Sequence, residues 1–404
     1  MRQLHLAGPL SPRGQHHRRG QRVPDQGRAT DHANTLESNQ RQGSFIDPAA
    51  GKTILADWSH DWLGALDVAI RTEDFYRSLL RRHILPRWGE HGLADISGIK
   101  AAAWAKQLRD QGYAPVTVTS VMKLLSLLLS DAVDERLIPV NPIRARHRGR
   151  RRSDRRVERL WATPSQVLAV ADNIARLPTA GAGAELLIVT AAWTGARWGE
   201  IAALQRRNTH LDDGVIIIDP LIGAMIESSR GIELGPPKTA ESARTITLPP
   251  FLIRLLQAHL DRHDHPHVFT SHRGEPHRRS NFGRRALRPA TEGTGYLAAP
   301  PVPLEPAKPG LTFHGLRHSH KTWMIADGVP EVAQSRRLGH ILGDRIQETY
   351  SHVAAEVEHR LLEALNDRTK PSPTALTNRR GVSEQELAAG GDTSRRLQHA
   401  GGPP

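Results

Sequence analysis

The 404-residue chain contains no cysteine. Disulfides and thiolate zinc sites are therefore excluded, and the composition suits a reducing compartment. Aromatic residues make up 4% of the chain and include only four tyrosines, so few phenols compete for any role that needs one. No apolar run is expected to reach membrane-spanning length, and the opening M-R-Q-L-H-L-A-G-P-L-S-P-R lacks the apolar core of a secretory signal. Acidic residues are also in short supply: 42 Asp and Glu face 55 Lys and Arg, a formal charge of +13. An excess of that size points to a polyanionic partner, nucleic acid first.

The length suits two or three domains. Residues 1–42 are rich in Arg, Gln, His, Gly and Pro with little to bury, and read as a disordered or degenerate N-terminal segment. Residues 43–143 read as a helical bundle. Trp58, Trp62 and Leu63 fall at helical spacing. Thr72 is expected to cap a helix carrying Phe75, Leu79 and Leu80 that stops before Pro86. A helix over roughly 97–110 has Ile99, Ala103 and Leu108 as core candidates, and a long one from Pro115 carries Val118, Val121, Met122, Leu125, Leu128, Leu129 and Ala132 at three- and four-residue steps. Residues 144–160 form a linker so dense in arginine that it resists packing. Such a run is a tether in water, and beside DNA each phosphate it neutralises releases a counterion; Arg148, Arg150, Arg151 and Arg152 are its candidate DNA contacts.

A second domain is expected over 161–366, with a disordered tail over 367–404. Thr163-Pro164-Ser165-Gln166 has the pattern of a capping box with proline in the first turn. Glu185–Trp193 is apolar nearly all round, as in a buried helix; V-I-I-I-D at Val215–Asp219 and R-T-I-T-L at Arg244–Leu248 read as strands. The expected fold class is thus mainly α with a small antiparallel sheet. A last helix carries Val353, Val357, Leu361 and Leu365 in a narrow stripe, to be covered by its own domain or by a neighbouring protomer.

The chemistry-bearing residues lie in this second domain. F-H-G-L-R-H spans Phe313–His318, L-G-H spans Leu338–His340, and T-Y-S-H-V spans Thr349–Val353, while T-G-A-R-W-G-E at Thr194–Glu200 adds a further arginine. Cleaving a phosphodiester builds negative charge on the non-bridging oxygens, and guanidinium forks suit that charge better than ammoniums do. Arg197 and Arg317 are the candidate pair. His340, set up by the helix-ending Gly339, is positioned to donate to a non-bridging oxygen, and His314 to accept or relay a proton. Tyr350 is the candidate nucleophile, since Tyr76, Tyr113 and Tyr296 lack basic neighbours of this kind. Lys238, between the two strands, is the candidate proton donor to the leaving oxygen, and Glu200 a buttress for an arginine. His314 and His318 have helical metal-ligand spacing, but Arg317 between them disfavours a dication; no metal or other cofactor is expected.

T-G-A-R-W-G-E-I, P-P-K-T-x4-R-T, H-G-L-R-H, L-G-H and the terminal tyrosine, in that order, resemble the tyrosine recombinase family, the phage-type integrases. The resemblance covers roughly residues 43–366, and G-S-F-I-D-P-A-A-G-K is similar to a segment of actinobacterial members. It implies a core-binding bundle and a catalytic domain clamping duplex DNA, with attack by Tyr350 leaving a 3′-phosphotyrosine and a free 5′-hydroxyl. It also implies a homotetramer on attachment core sites, a directionality factor or DNA-bending protein as helper, a cytoplasmic, nucleoid-associated setting without a membrane, and a last helix docked in a neighbouring subunit. Such integrases usually begin with a small arm-binding domain. Residues 1–30 have no strand pattern, so a truncated, misassigned or frame-altered start is the expectation. A non-catalytic DNA-binding relic and a relaxing topoisomerase remain as alternative readings.

Overall fold

The computed structural model describes residues 47, 49–143, 159–178, 180–295, 302–340 and 353–369. The expectations for residues 1–42, for Arg148, Arg150, Arg151 and Arg152, and for Tyr350 lie outside the described residues. The chain divides into two compact units, residues 1–148 and 149–404.

The first unit is a helical bundle of α1 (Leu55–Ala65), α2, α3 (Gly98–Asp110) and α4 (Pro115–Asp134). Helix α2 starts as Ile70–Leu79, widens into a π turn at Leu80–Ile84 and continues as Leu85–Trp88. It therefore runs through Pro86 instead of stopping before it. Proline lacks an N–H and its ring crowds the carbonyl four residues back; the widened turn relieves both. Ala69, not Thr72, is the N-cap, and Phe75 is exposed. In α3 the Ser97 cap sets a phase that turns Ala101, Trp104, Ala105 and Leu108 inward, leaving Ile99 and Ala103 exposed. Helix α4 follows its expected stripe closely. By length and composition it could cross a membrane (20 residues, mean hydropathy 1.6), contrary to the expectation of no such run. Its apolar side instead forms the bundle core, where Val121, Leu125, Leu128 and Leu129 are fully buried, each such residue contributing about 1.5–3 kcal/mol.

The second unit surrounds one helix that is buried on every side. After α5 (Pro164–Ala175), which opens with the expected Thr163–Gln166 capping box, comes α6 (Ala184–Thr194), all eleven residues of which are buried. Short α7 (Trp198–Ala203) follows. The sheet orders β1 (Thr209–His210), β2 (Val215–Ile218) and β5 (Arg244–Thr247), with β2 and β5 antiparallel and Ile218 opposite Arg244. The stretch Leu221–Gly235, inserted between these strands, folds into a separate hairpin of β3 (Ala224–Ser228) and β4 (Gly231–Gly235). This hairpin lies on α7: a Cβ at Gly199 would meet the Met225 carbonyl at 3.1 Å, and the Trp198 indole donates to Glu227 at 3.0 Å.

Then come α8 (Pro250–Leu260) and α9, which runs Arg279–Phe282, a π turn Gly283–Leu287, and Arg288–Glu292. Here too the π turn precedes an in-helix proline, Pro289. A two-residue pairing of β6 (Thr294–Gly295) with β7 (Val302–Pro303) leads to α10 (Phe313–Ala326), α11 (Glu331–Leu338) and α12 (Ala355–Asp367).

Within the chain, helix α12 packs against its own unit. Leu361 and Leu365 are buried in the main core, the Trp193 indole donates to the Leu365 carbonyl at 2.9 Å, and Glu358 pairs with Arg337 at 3.3 Å. Val353 and Val357 are half-buried against the same core. Arg368, expected in a disordered tail, pairs with Asp327 at 2.5 Å.

Candidate active site

The site forms where α6, α7, β5, α10 and α11 end close together. Helix α11 stops at Gly339, whose φ of 62° is left-handed. The His340 N–H reaches back to the Ser335 carbonyl at 2.9 Å and the Gly339 N–H to that of Arg336 at 3.1 Å, the Schellman arrangement. That leaves the next three carbonyls to be satisfied from elsewhere. Each receives an arginine. Arg244 Nε donates to the Arg337 carbonyl at 2.7 Å, Arg317 Nη2 to that of Leu338, and Arg197 Nη2 to that of Gly339 at 3.1 Å. A helix C-terminus carries partial negative charge, so three cations collect there favourably.

The arginines are also held from behind. Arg197 donates through Nη1 to Glu200 at 2.7 Å and to Ser242 Oγ at 2.9 Å, and its backbone N–H donates to Glu200 at 2.9 Å. The other contact of the buried Glu200 is Arg244, at 3.0 Å. Burial by itself would raise the Glu200 carboxyl, but Arg244 and then Arg197 hold it below the usual carboxylate range. Arg317 is buried, donating to the Gly195 carbonyl at 2.7 Å and to His340 Nε2 at 2.8 Å. Burial, then repulsion from Arg197, pulls it down to about 9, with Glu200 opposing, so it stays charged at neutral pH. Of the three guanidiniums, Arg197 and Arg244 pair with the one carboxylate and Arg317 does not, and the local excess of positive charge suits an anionic ligand. To the described residues, Arg197 and Arg317 each use three of their five N–H groups, leaving two on each for a ligand.

His340 accepts at Nε2 from Arg317, so its neutral tautomer carries the proton on Nδ1. Burial and then Arg317 push it down to about 4. His340 is thus neutral across the physiological range, and Nδ1–H is the group that can donate. His314 is exposed on α10, its ring edge-on to His318 at 4.7 Å. It is lowered by burial first, then by His318 and Arg317, which favours a neutral, proton-accepting ring. Arg159, at the end of the linker, lies 3.2 Å from His318 on this face. Lys238 is exposed in the bend after β4, in the same loop as Ser242. Thr239 and Ser242 share a hydroxyl contact at 3.1 Å, so the lysine is joined to the site through its loop rather than by a direct bond.

Arg197, Arg317 and His340 are brought together as their motifs suggested, and Glu200 buttresses Arg197. Sequence reasoning missed Arg244 and Ser242, although both stand in P-P-K-T-A-E-S-A-R-T, where the lysine alone suggested chemistry. It also missed Arg337, which is buried and donates to His320, to Thr247, to the Trp193 carbonyl and to Glu358. Among the described residues no group of histidines and carboxylates has metal-binding geometry.

Residues 161–356 match the phage integrase family. The integrase of Mycobacterium phage L5 is 26% identical over 330 residues, 80% of this chain and 82% of that protein. The putative prophage phiRv2 integrase of Mycobacterium tuberculosis H37Rv is 26% identical over 308 residues, 72% of this chain and 74% of that one. Among solved structures, the Tn1549 transposon integrase in complex with transposon right end DNA superposes with a TM-score of 0.59 at 17% identity, over 77% of this chain and 99% of that chain. A lambda integrase tetramer bound to a Holliday junction gives 0.51 at 19% identity, over 80% and 86%.

Proposed function

The chain belongs to the phage integrase family of tyrosine recombinases, and from that premise we propose that it is a site-specific DNA recombinase of a phage or other mobile element. The observation that carries this reading is the convergence of Arg197, Arg317 and His340 on the end of α11. The N–H groups left on the two arginines and the His340 Nδ1–H serve the non-bridging oxygens of one phosphate. The Tyr350 phenol attacks the scissile phosphorus. The bond to the 5′ oxygen breaks, Lys238 supplies that oxygen with a proton, and a 3′-phosphotyrosine remains. The free 5′-hydroxyl of a partner duplex then attacks, displacing Tyr350 and restoring a phosphodiester. Bond energy is conserved in the covalent intermediate. The two guanidiniums and the His340 Nδ1–H balance charge in the pentavalent state, a donor of this kind being worth on the order of 10²–10³ in rate. His314 relays the proton of the Tyr350 phenol.

The substrate is double-stranded DNA, bound at attachment core sites by four copies of the chain, with a directionality factor or DNA-bending protein assisting. Both units bind the duplex, and Arg148, Arg150, Arg151 and Arg152 neutralise phosphates of its backbone. The setting is the bacterial nucleoid. Nicked suicide duplexes tiling the DNA that flanks the gene test the reading. The wild-type chain should become covalently attached to one of them, and Tyr350→Phe should not. Absence of any adduct across the panel would overturn it. Joining of two duplexes through a four-way junction separates strand exchange from plain relaxation.

A further inference from the structure

We propose that Arg244 is a positioning residue of the cleavage site, fixing through Glu200 and the end of α11 where Arg197 and His340 present their donors. The proposal rests on the recombinase reading and adds to it a residue that acts through its neighbours. Arg244 opens β5, its side chain is 7% exposed, and three of its N–H groups are taken up by protein acceptors. Nε donates to the Arg337 carbonyl at 2.7 Å, Nη1 to the Ser242 carbonyl at 2.6 Å, and Nη2 to Glu200 at 3.0 Å.

Each acceptor leads to a phosphate-facing group. Glu200 passes the contact on to Arg197, by side chain and by backbone. Ser242 gives its carbonyl to Arg244 and its hydroxyl to Arg197. The Arg337 carbonyl belongs to the turn that ends in His340. A Cβ at Gly339 would come within 3.1 Å of Arg244 Nη1, so the turn packs directly on this guanidinium. Three acceptors on three segments are held by one planar fork, which a lysine ammonium cannot reproduce. A displacement on the order of 1 Å at the reacting centre can cost about 10²-fold in rate.

A residue that only held the fold would change cleavage in step with the folded fraction. A positioning role has a further signature. Glu200 faces Arg197 on α7, Arg244 on β5 and, at longer range, Arg317 on α10. Burial opposes its ionisation and Arg244 is the largest single cause favouring it. Without Arg244 the carboxyl rises, so cleavage should fail on the acid side at a higher pH than in the wild type. His340 shifts less, because burial and Arg317 are its larger causes.

The experiment uses the full chain, as wild type, Arg244→Gln and Arg244→Lys, on the nicked duplexes described above. Cleavage rate at saturating protein should fall about 10²-fold in Arg244→Gln. Arg244→Lys should recover part of it, with the dissociation constant changed by less than about threefold in both. The acid limb of the rate profile should move up in Arg244→Gln. A wild-type rate in Arg244→Gln overturns the proposal. So does a loss of rate that only tracks the folded fraction by circular dichroism in both variants, with the acid limb unmoved. Failure of the wild-type chain to form any adduct would overturn the recombinase reading, and this proposal with it.

Discussion

Arg317 donates through Nη2 to His340 Nε2 across 2.8 Å. The bond fixes the imidazole tautomer and couples a group on α10 to one in the turn after α11, 23 residues away. An imidazolium has no free nitrogen to accept this bond, so protonating His340 would break it and set two cations against each other. In Arg317→Gln both the fork and the charge are lost. Cleavage is expected to fall about 10²–10³-fold. The His340 titration, held at about 4 by burial and then by Arg317, should rise part of the way toward the ordinary histidine value. Histidine proton NMR checks this, and an unmoved midpoint would sever the coupling.

His277 gives the fold a pH dependence away from the site. It is buried against Phe282, with no hydrogen-bond partner for Nε2 among the described residues, and burial pushes it down to about 4. The folded-state value lies below the unfolded one. The neutral ring therefore contributes stability that is fully present above the unfolded value and is lost as pH falls toward 4. The expected loss between pH 7.5 and 4.5 is on the order of 2–3 kcal/mol. Urea unfolding of His277→Gln should show a correspondingly flatter pH dependence than the wild type.

Gly339 is required by backbone geometry. Its φ is 62°, and a Cβ would lie 2.8 Å from the Glu241 carbonyl oxygen and 3.0 Å from Ser242 Cα, both main-chain atoms that cannot swing aside. Gly339→Ala should cost about 1–3 kcal/mol in stability. It should also reduce cleavage beyond that, because the turn carries the carbonyls that seat Arg317 and Arg197. Full adduct yield from a stably folded Gly339→Ala would contradict the role given to the turn.

The docking of α12 on its own unit has a stability consequence. Leu365 is fully buried and its carbonyl accepts from Trp193. Leu365→Ala should destabilise the chain by about 2–5 kcal/mol, read by tryptophan fluorescence at a concentration where the protein is monomeric. A monomer unaffected by the change would place the helix elsewhere in solution.

The linker prediction is electrostatic. Replacing Arg150, Arg151 and Arg152 by glutamine should lower the steepness of log affinity against log salt by about 0.9 for each phosphate that is no longer neutralised, close to 2.7 for all three. Mobility-shift titrations between low and moderate salt measure it, and an unchanged slope would remove these arginines from the DNA backbone.

Much of this protein can be read locally. The apolar stripe of α4, the capping box of α5, the all-round burial of α6 and the β2–β5 pair follow from short-range periodicity and turn chemistry. So do the identities of Arg197, Arg317 and His340, because each sits in a motif with its own glycine or histidine. Local reasoning failed where a neighbour changed the rules. Pro86 reads as a helix end, and only a π turn lets the helix continue past it. Ile99 reads as core, but the Ser97 cap rotates α3 and turns it to solvent.

The sequence by itself determined which chemistry-bearing residue types the second domain carries, because guanidiniums, imidazoles and a scarce phenol in fixed order leave few other chemistries. Tertiary structure alone decided how they are held. Arg244, Ser242 and three successive carbonyls have no chemical signature in the sequence. Their role arises because the starts of β5, α7 and α10 meet the end of α11, where buried donors and acceptors must all be paired. It also decided that α12 is covered from within the same unit, since a narrow apolar stripe specifies that it will be buried and not by what.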